Sequence, residues 1–181
     1  MSNWIVTISG RRVDPLAMRP EDIDIGDIAH ALALLNRFTG HTTRPYSVAE
    51  HCVRVSWLCR PEHALWGLLH DASEAYLADI ARPVKQRDEF VFYRLAEARL
   101  TQTIAQVFRL PEQVPDGVHW ADGVMCAAER RDLTTYVPEP DGYTARFVSD
   151  ANSLVSPINP WDWELARGRF LDRFALLMHR R

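Results

Sequence analysis

Lysine is nearly missing from this chain. Lys85 is the single lysine among 21 basic residues. A GC-rich coding sequence produces such an arginine bias, and a lysine that persists against it is a candidate for a specific role, chance being the alternative. Cysteine is also scarce. Cys52, Cys59 and Cys126 make an odd count without a C-x-x-C pair, which argues against a disulfide framework or a thiolate zinc site and leaves buried small hydrophobes in a reducing compartment. No apolar run is long enough to span a bilayer, and the N-terminus lacks a basic stretch followed by an apolar one. The expectation is a cytoplasmic protein with no membrane partner. A strong charge of one sign is absent too: the formal net charge is −3, which does not suit coating a nucleic acid polymer. A small anionic ligand would need a local cluster of positive charge.

What is present fits one soluble domain. The 181 residues are 47% apolar and 25% charged, enough for a substantial core. Residues 4–13 read as two short β-like runs around Ser9-Gly10, a hairpin signal. Helical periodicity begins at Asp24, with Ile25, Ile28, Ala29, Leu32 and Leu35, and is broken by Gly40 and Pro45. Ser47 with Glu50 three residues on reads as a capping box, opening a helix with Val48, Cys52, Val55 and Cys59 on one face. A further helix is expected over 62–76, a turn over 79–83, and a long amphipathic helix over 88–108 marked by Phe92, Leu95, Ala96, Leu100 and Ile104. Another follows over 118–136. Residues 137–160, rich in Pro, Asp, Ser and Gly, read as an ordered loop. A last helix over 161–179 carries Leu165, Phe170, Phe174 and Leu177. No repeat or linker divides the chain, so the expectation is an all-α single domain with a short N-terminal β-hairpin and a helical core over about 24–136.

Four polar residues sit on faces otherwise expected to be buried. His51 lies between Val48 and Val55, His70-Asp71 follow Leu68-Leu69, and Asp122 shares a face with Val118, Ala121 and Met125. A buried carboxylate requires a compensating partner, and a divalent metal is the most economical single partner for two imidazoles and two carboxylates. Taken alone, each has an ordinary explanation: a hydrogen-bonded core histidine, or an aspartate paired with Arg130 or Arg131. Taken together on consecutive core helices they point to metal. Glu74, at i+4 from His70 and i+3 from Asp71, projects from the same helical face, where a general acid or base beside the reacting water must stand.

These residues carry a resemblance. His51, His70-Asp71 and Asp122, set in Tyr46-Ser47-Val48-Ala49-Glu50-His51 and Leu69-His70-Asp71-Ala72-Ser73-Glu74, resemble the HD-domain phosphohydrolases over about residues 24–131. Within that superfamily the chain is most similar to bacterial 5'-deoxynucleotidases and to phage enzymes that hydrolyse dATP to deoxyadenosine and triphosphate. The resemblance implies an HD-type helical domain, with His51, His70, Asp71 and Asp122 as metal ligands. It implies that Arg37-Phe38 holds phosphate and base or sugar, where the 5'-deoxynucleotidases carry tryptophan at the second position. It also implies that Asp79 acts on sugar or proton transfer, and that Pro83-Val84-Lys85 lines the pocket, with the Lys85 ammonium suited to a terminal phosphate. His41 is set aside as first ligand because it lies in a Gly/Thr/Pro-rich loop, whereas His51 begins a core helix.

The implied activity is metal-dependent deoxynucleotide hydrolysis, as a dNTP triphosphohydrolase preferring dATP or as a 5'-deoxynucleotidase on dNMPs. A non-catalytic nucleotide-binding HD domain is the reading from another class, and it predicts a broken ligand set, which this chain does not have. Glu74-Ala75 departs from the Glu-Asp of stringent-response hydrolases, and the Gly-Tyr-Pro signature of cyclic-dinucleotide phosphodiesterases is not found. Imidazole and carboxylate ligands suit Co, Mn, Zn or Fe alike, and a triphosphate substrate would bring additional Mg or Mn on its phosphates. Assembly of relatives as dimers or rings implies a homo-oligomer.

Overall fold

In the computed structural model, which describes residues 3–135 and 144–180, the chain opens with a two-stranded antiparallel hairpin. Its strands β1 (Ile5–Val6) and β2 (Arg12–Val13) pair Ile5 with Val13 and Val6 with Arg12. Gly10 takes the turn at φ +84°, a conformation that costs a residue without Cβ little. The hairpin is tied to the body of the protein by Asp27, which accepts from the Ser9 backbone N–H at 2.9 Å and the Ser9 hydroxyl at 2.8 Å.

Helix α1 (Ile25–Leu34) starts where the side chain of Asp24 caps the N–H groups of Gly26 and Asp27, satisfying donors that have no partner within the helix. The chain then turns back on itself. Asn36 and Ser47 form an isolated antiparallel bridge, Arg37 N–H donates to Tyr46 O at 2.9 Å, and Val48 N–H donates to Leu35 O at 2.9 Å. Inside this clasp Phe38 and Thr39 both sit at φ +54°, a left-handed conformation that costs such residues on the order of 1–3 kcal/mol each and persists only where the surroundings impose it.

Helix α2 (Val48–Leu58) is the centre of the fold. Val48 to Val53, Val55 and Ser56 are all buried, because α2 is flanked by α1, by α3 (Ala64–Leu69), by α7 (Asp116–Leu133) and by α9 (Trp163–His179). Ser47 caps α2 by accepting from Glu50 N–H at 3.1 Å. The return half of the expected capping box does not form. Glu50 instead accepts from Arg54 at 2.8 Å and from the Trp161 backbone N–H at 2.8 Å, so it tethers the segment leading into α9.

The helix expected over 62–76 is divided. α3 ends at Leu69, residues 70–73 form tight turns, and α4 covers Glu74–Leu77. Contacts of the i→i+3 type close this stretch, Ala72 N–H to Leu69 O at 3.0 Å and Glu74 N–H to Asp71 O at 3.0 Å. Close approach of α3 to α2 needs Gly67: a Cβ there would lie 2.7 Å from Cys59 Sγ and 3.1 Å from Ser56 Cα.

α5 (Arg82–Lys85) includes the tail of the expected 79–83 turn, and α6 (Val91–Val107) matches the long helix. Ala96, Leu100 and Ile104 are buried as expected, but Phe92 is 81% and Leu95 49% exposed. Apolar periodicity alone assigned them to the core, whereas the buried face begins one turn later, at Ala96. α7 ends at Leu133 among the described residues. The expected loop over 137–160 is corrected in its second half, where a 3-10 turn at Ala145–Phe147 leads into α8 (Val148–Leu154); residues 137–143 lie outside the described residues. Phe147 seats directly on Gly123 of α7, where any Cβ would overlap its ring. α9 buries Phe170 and Leu177, but Leu165 is 42% exposed. The fold is thus mainly α-helical with a short N-terminal hairpin. Among the described residues no helix is long and apolar enough to cross a membrane.

Candidate metal centre

Three elements converge on one point. His51 comes from α2, His70 and Asp71 from the turn after α3, and Asp122 from α7. His51 Nε2 lies 3.3 Å from His70 Nε2, 3.2 Å from Asp122 Oδ1 and 3.7 Å from Asp71 Oδ2, and His70 Nε2 lies 3.3 Å from Asp71 Oδ2. His51, His70 and Asp71 offer ligand atoms all within 4.8 Å of one another, a cluster that could hold a metal ion. Ligands about 2.1 Å from a shared ion stand about 3–3.4 Å from their neighbours, which the His51–His70 and His70–Asp71 spacings match; His51–Asp71 at 3.7 Å is slightly wider, and Asp122 approaches the cluster through His51.

The orientation of each ring fits as well. His51 Nδ1–H donates to Glu129 Oε1 at 2.6 Å, and His70 Nδ1–H donates to Gly67 O at 2.9 Å. Committing both Nδ1 atoms to outer partners fixes the ring orientations and aims both Nε2 atoms inward. The electrostatics are those of a crowded ionic site. Burial and the Arg37 charge oppose protonation of His51, but Glu129 and Asp122 outweigh them and push its pKa up to about 9. Burial alone would raise Asp122, yet His51, His70 and Arg37 hold it well below the ordinary carboxylate range.

Asp71 and Asp122 form one edge of a cleft of about 560 Å³, a size suited to a small organic ligand. Arg37, Phe38, Asp71, Glu74, Asp79, Pro83, Lys85 and Asp122 all line it, so the structure gathers every site residue expected from the sequence except the buried His51 and the partly buried His70, which are not part of its lining. Arg82, Arg94 and Arg130 add positive charge to its walls. His41 is exposed on the loop beyond Gly40.

Glu74 is 6% exposed, and its Oε2 has no hydrogen-bond partner. Burial, with the neighbouring Asp71 and Asp79, raises its pKa well above the ordinary value, so this carboxyl tends to keep its proton. Asp79 is raised by burial as well, with Arg37 opposing. It follows Ala78, whose backbone is held at φ +67° and whose carbonyl accepts from the Tyr93 hydroxyl at 2.7 Å. Lys85 Nζ lies 2.6 Å from Glu97 Oε1 and 4.0 Å from Glu74 Oε1. Burial disfavours its charge, but the Glu97 contact raises its pKa.

Sequence reasoning missed two residues. Glu97 anchors Lys85 from α6, a long-range pairing with no local signature. Glu129 is fully buried and accepts from both His51 and, through Oε2, Arg37 Nε at 2.9 Å. Despite burial, Arg37 and His51 hold it in its charged form. Its signal was available: it lies two helical turns beyond Asp122, on the same face of α7. Arg130 and Arg131, weighed as ordinary partners of Asp122, point elsewhere: Arg131 pairs with Asp132 at 2.7 Å, and Arg130 Nη1 donates to Thr144 Oγ1 at 3.3 Å.

No known family model matches the chain. It is 35% identical over 176 residues to the protein YfdR of Escherichia coli, described as uncharacterized, covering 95% of this chain and 94% of that one. An uncharacterized protein of Rhodobacter capsulatus is 40% identical over 121 residues, covering 62% of this chain and 61% of the relative. The chain therefore belongs to the same family as YfdR.

Proposed function

We propose that this protein is an HD-type metal-dependent phosphohydrolase acting on deoxynucleotides, in the first place a dNTP triphosphohydrolase releasing deoxynucleoside and triphosphate. The observation that carries the reading is the meeting of two imidazole Nε2 atoms with carboxylate oxygens of Asp71 and Asp122 beside a cleft of nucleotide size. His51, His70, Asp71 and Asp122 would hold a divalent ion. When bound, such an ion supplies positive charge against the phosphoryl oxygens and makes a water more acidic.

The remaining chemistry falls to the chain's own groups. Arg37, 14% exposed in its side chain and 3.7 Å from Asp71, offers a planar cation to a phosphate. Lys85, steadied by Glu97, offers a compact one. Glu74 keeps a proton at the cleft wall and gives it to the departing oxygen, the role a buried carboxyl with raised pKa fills in general acid catalysis. Asp79, in the same wall, would take a sugar hydroxyl or a proton, and Phe38 would offer a ring to base or sugar. The cations along the cleft support a polyphosphate over a monophosphate, by charge matching.

The test is incubation of the purified protein with each nucleoside mono- and triphosphate and with Mn, Co, Zn, Fe or Mg, followed by detection of orthophosphate and of triphosphate. Triphosphate released from dATP or another dNTP supports the reading. Orthophosphate from dNMPs alone replaces it with a 5'-deoxynucleotidase. Cleavage of no phosphate ester under any ion overturns it.

A further inference from the structure

Glu129 stands outside the set of ligating and substrate-facing residues, yet it touches both groups. It is fully buried, with 0% of its side chain exposed. Oε1 accepts from His51 Nδ1–H at 2.6 Å, and Oε2 accepts from Arg37 Nε–H at 2.9 Å. Those partners have separate duties, one in the metal cluster and one in the cleft wall. They also come from separate elements, α2 and the strained clasp of residues 36–47.

We infer that Glu129 is the positioning residue of this site, one buried carboxylate that sets the metal ligand His51 with one oxygen and the anion-binding Arg37 with the other. The inference rests on the metal-site reading above. A carboxylate is the one side chain of this size that accepts at both ends. Glutamine has a single acceptor oxygen and presents N–H groups at the other end. Facing two donors, it serves one and opposes the other. An Arg–Glu pair kept only for packing would need no third partner, and buried pairs of that kind can be replaced without loss. The third partner here is a ring whose opposite nitrogen faces the metal cluster. Groups that orient a ligating histidine typically change metal affinity about tenfold to a hundredfold when mutated.

The test compares wild type, Glu129→Gln, Arg37→Gln and the double variant. Each is measured for helical circular dichroism, for Mn affinity by isothermal titration without substrate, and for KM and kcat at saturating metal. Glu129→Gln is expected to weaken Mn binding by about tenfold to a hundredfold and to raise KM, because Arg37 loses its anchor. Arg37→Gln leaves Glu129 on His51, so it raises KM while holding Mn affinity near the wild-type value. The double variant leaves no buried cation unpaired and so keeps the inference open to test should Glu129→Gln alone fail to fold. It is expected to bind Mn as weakly as Glu129→Gln. Wild-type Mn affinity in a folded Glu129→Gln or in the double variant overturns the inference, as does loss of Mn binding in Arg37→Gln equal to that in the double variant. A wild-type protein that binds no divalent ion overturns the metal-site reading itself.

Discussion

The Nε2 atoms of His51 and His70 face each other at 3.3 Å, while their Nδ1 atoms are committed to Glu129 and to Gly67 O. Two imidazole lone pairs held this close repel unless a proton or a cation lies between them. In the metal-free chain the raised pKa of His51 supplies that proton; in the proposed reading a divalent ion takes its place, which gives the first prediction. His70→Ala or Asp71→Ala should remove bound metal and phosphoesterase activity. Both residues are partly exposed, so helical content should survive. Metal analysis alongside circular dichroism checks this, and full activity in Asp71→Ala would show that the ligand set is wrong.

Glu74 separates binding from turnover. Its buried carboxyl has an oxygen without a partner and lies beside, not within, the ligand cluster. Glu74→Gln should keep metal affinity while kcat falls by about 10²–10⁴-fold, the usual contribution of a general acid. Parallel measurement of Mn affinity and steady-state rates decides it. An unchanged kcat would remove Glu74 from the chemistry.

Gly67 ties packing to the site. It lets α3 lie against α2 at Ser56 and Cys59, and its carbonyl orients His70. Gly67→Ala should cost about 1–3 kcal/mol through overpacking, and it should weaken metal binding because His70 moves with α3. A thermal melt and a Mn titration on the same sample test both halves. A melt lowered with metal affinity intact would mean that the turn at residues 70–73 absorbs the displacement.

Asp27 supplies a contrast away from the site. It holds the hairpin through two hydrogen bonds from Ser9. Asp27→Ala should destabilise the protein by about 1–3 kcal/mol with kcat unchanged. Comparison of melting temperature with turnover reads this directly, and a fall in kcat at full folding would link the hairpin to the cleft.

Most of the fold was legible because apolar periodicity and capping residues act locally. Asp24 and Ser47 cap α1 and α2 as their side chains suggest. The errors have physical sources. Nothing between His70 and Ser73 is a helix breaker, so the turn there is imposed by tertiary packing. α8 buries only Ala151 among its residues, too little apolar signal to distinguish it from loop. Phe92 and Leu95 have helical spacing, but a helix can carry apolar residues beyond the face it buries. The ligand candidates were legible because polar groups on buried faces need partners. Glu129 escaped because it reads as one more glutamate in a charged stretch until Asp122 and the helical period are considered together.

His51, His70, Asp71 and Asp122 are proposed to grip one cation, and equilibrium dialysis of the metal-stripped protein against Mn reads this without recourse to activity. A single saturable ion per chain is expected in the wild type and none in Asp71→Ala at the same free concentration. A wild type that retains no ion, or an Asp71→Ala variant that retains it equally well, would refute the metal centre.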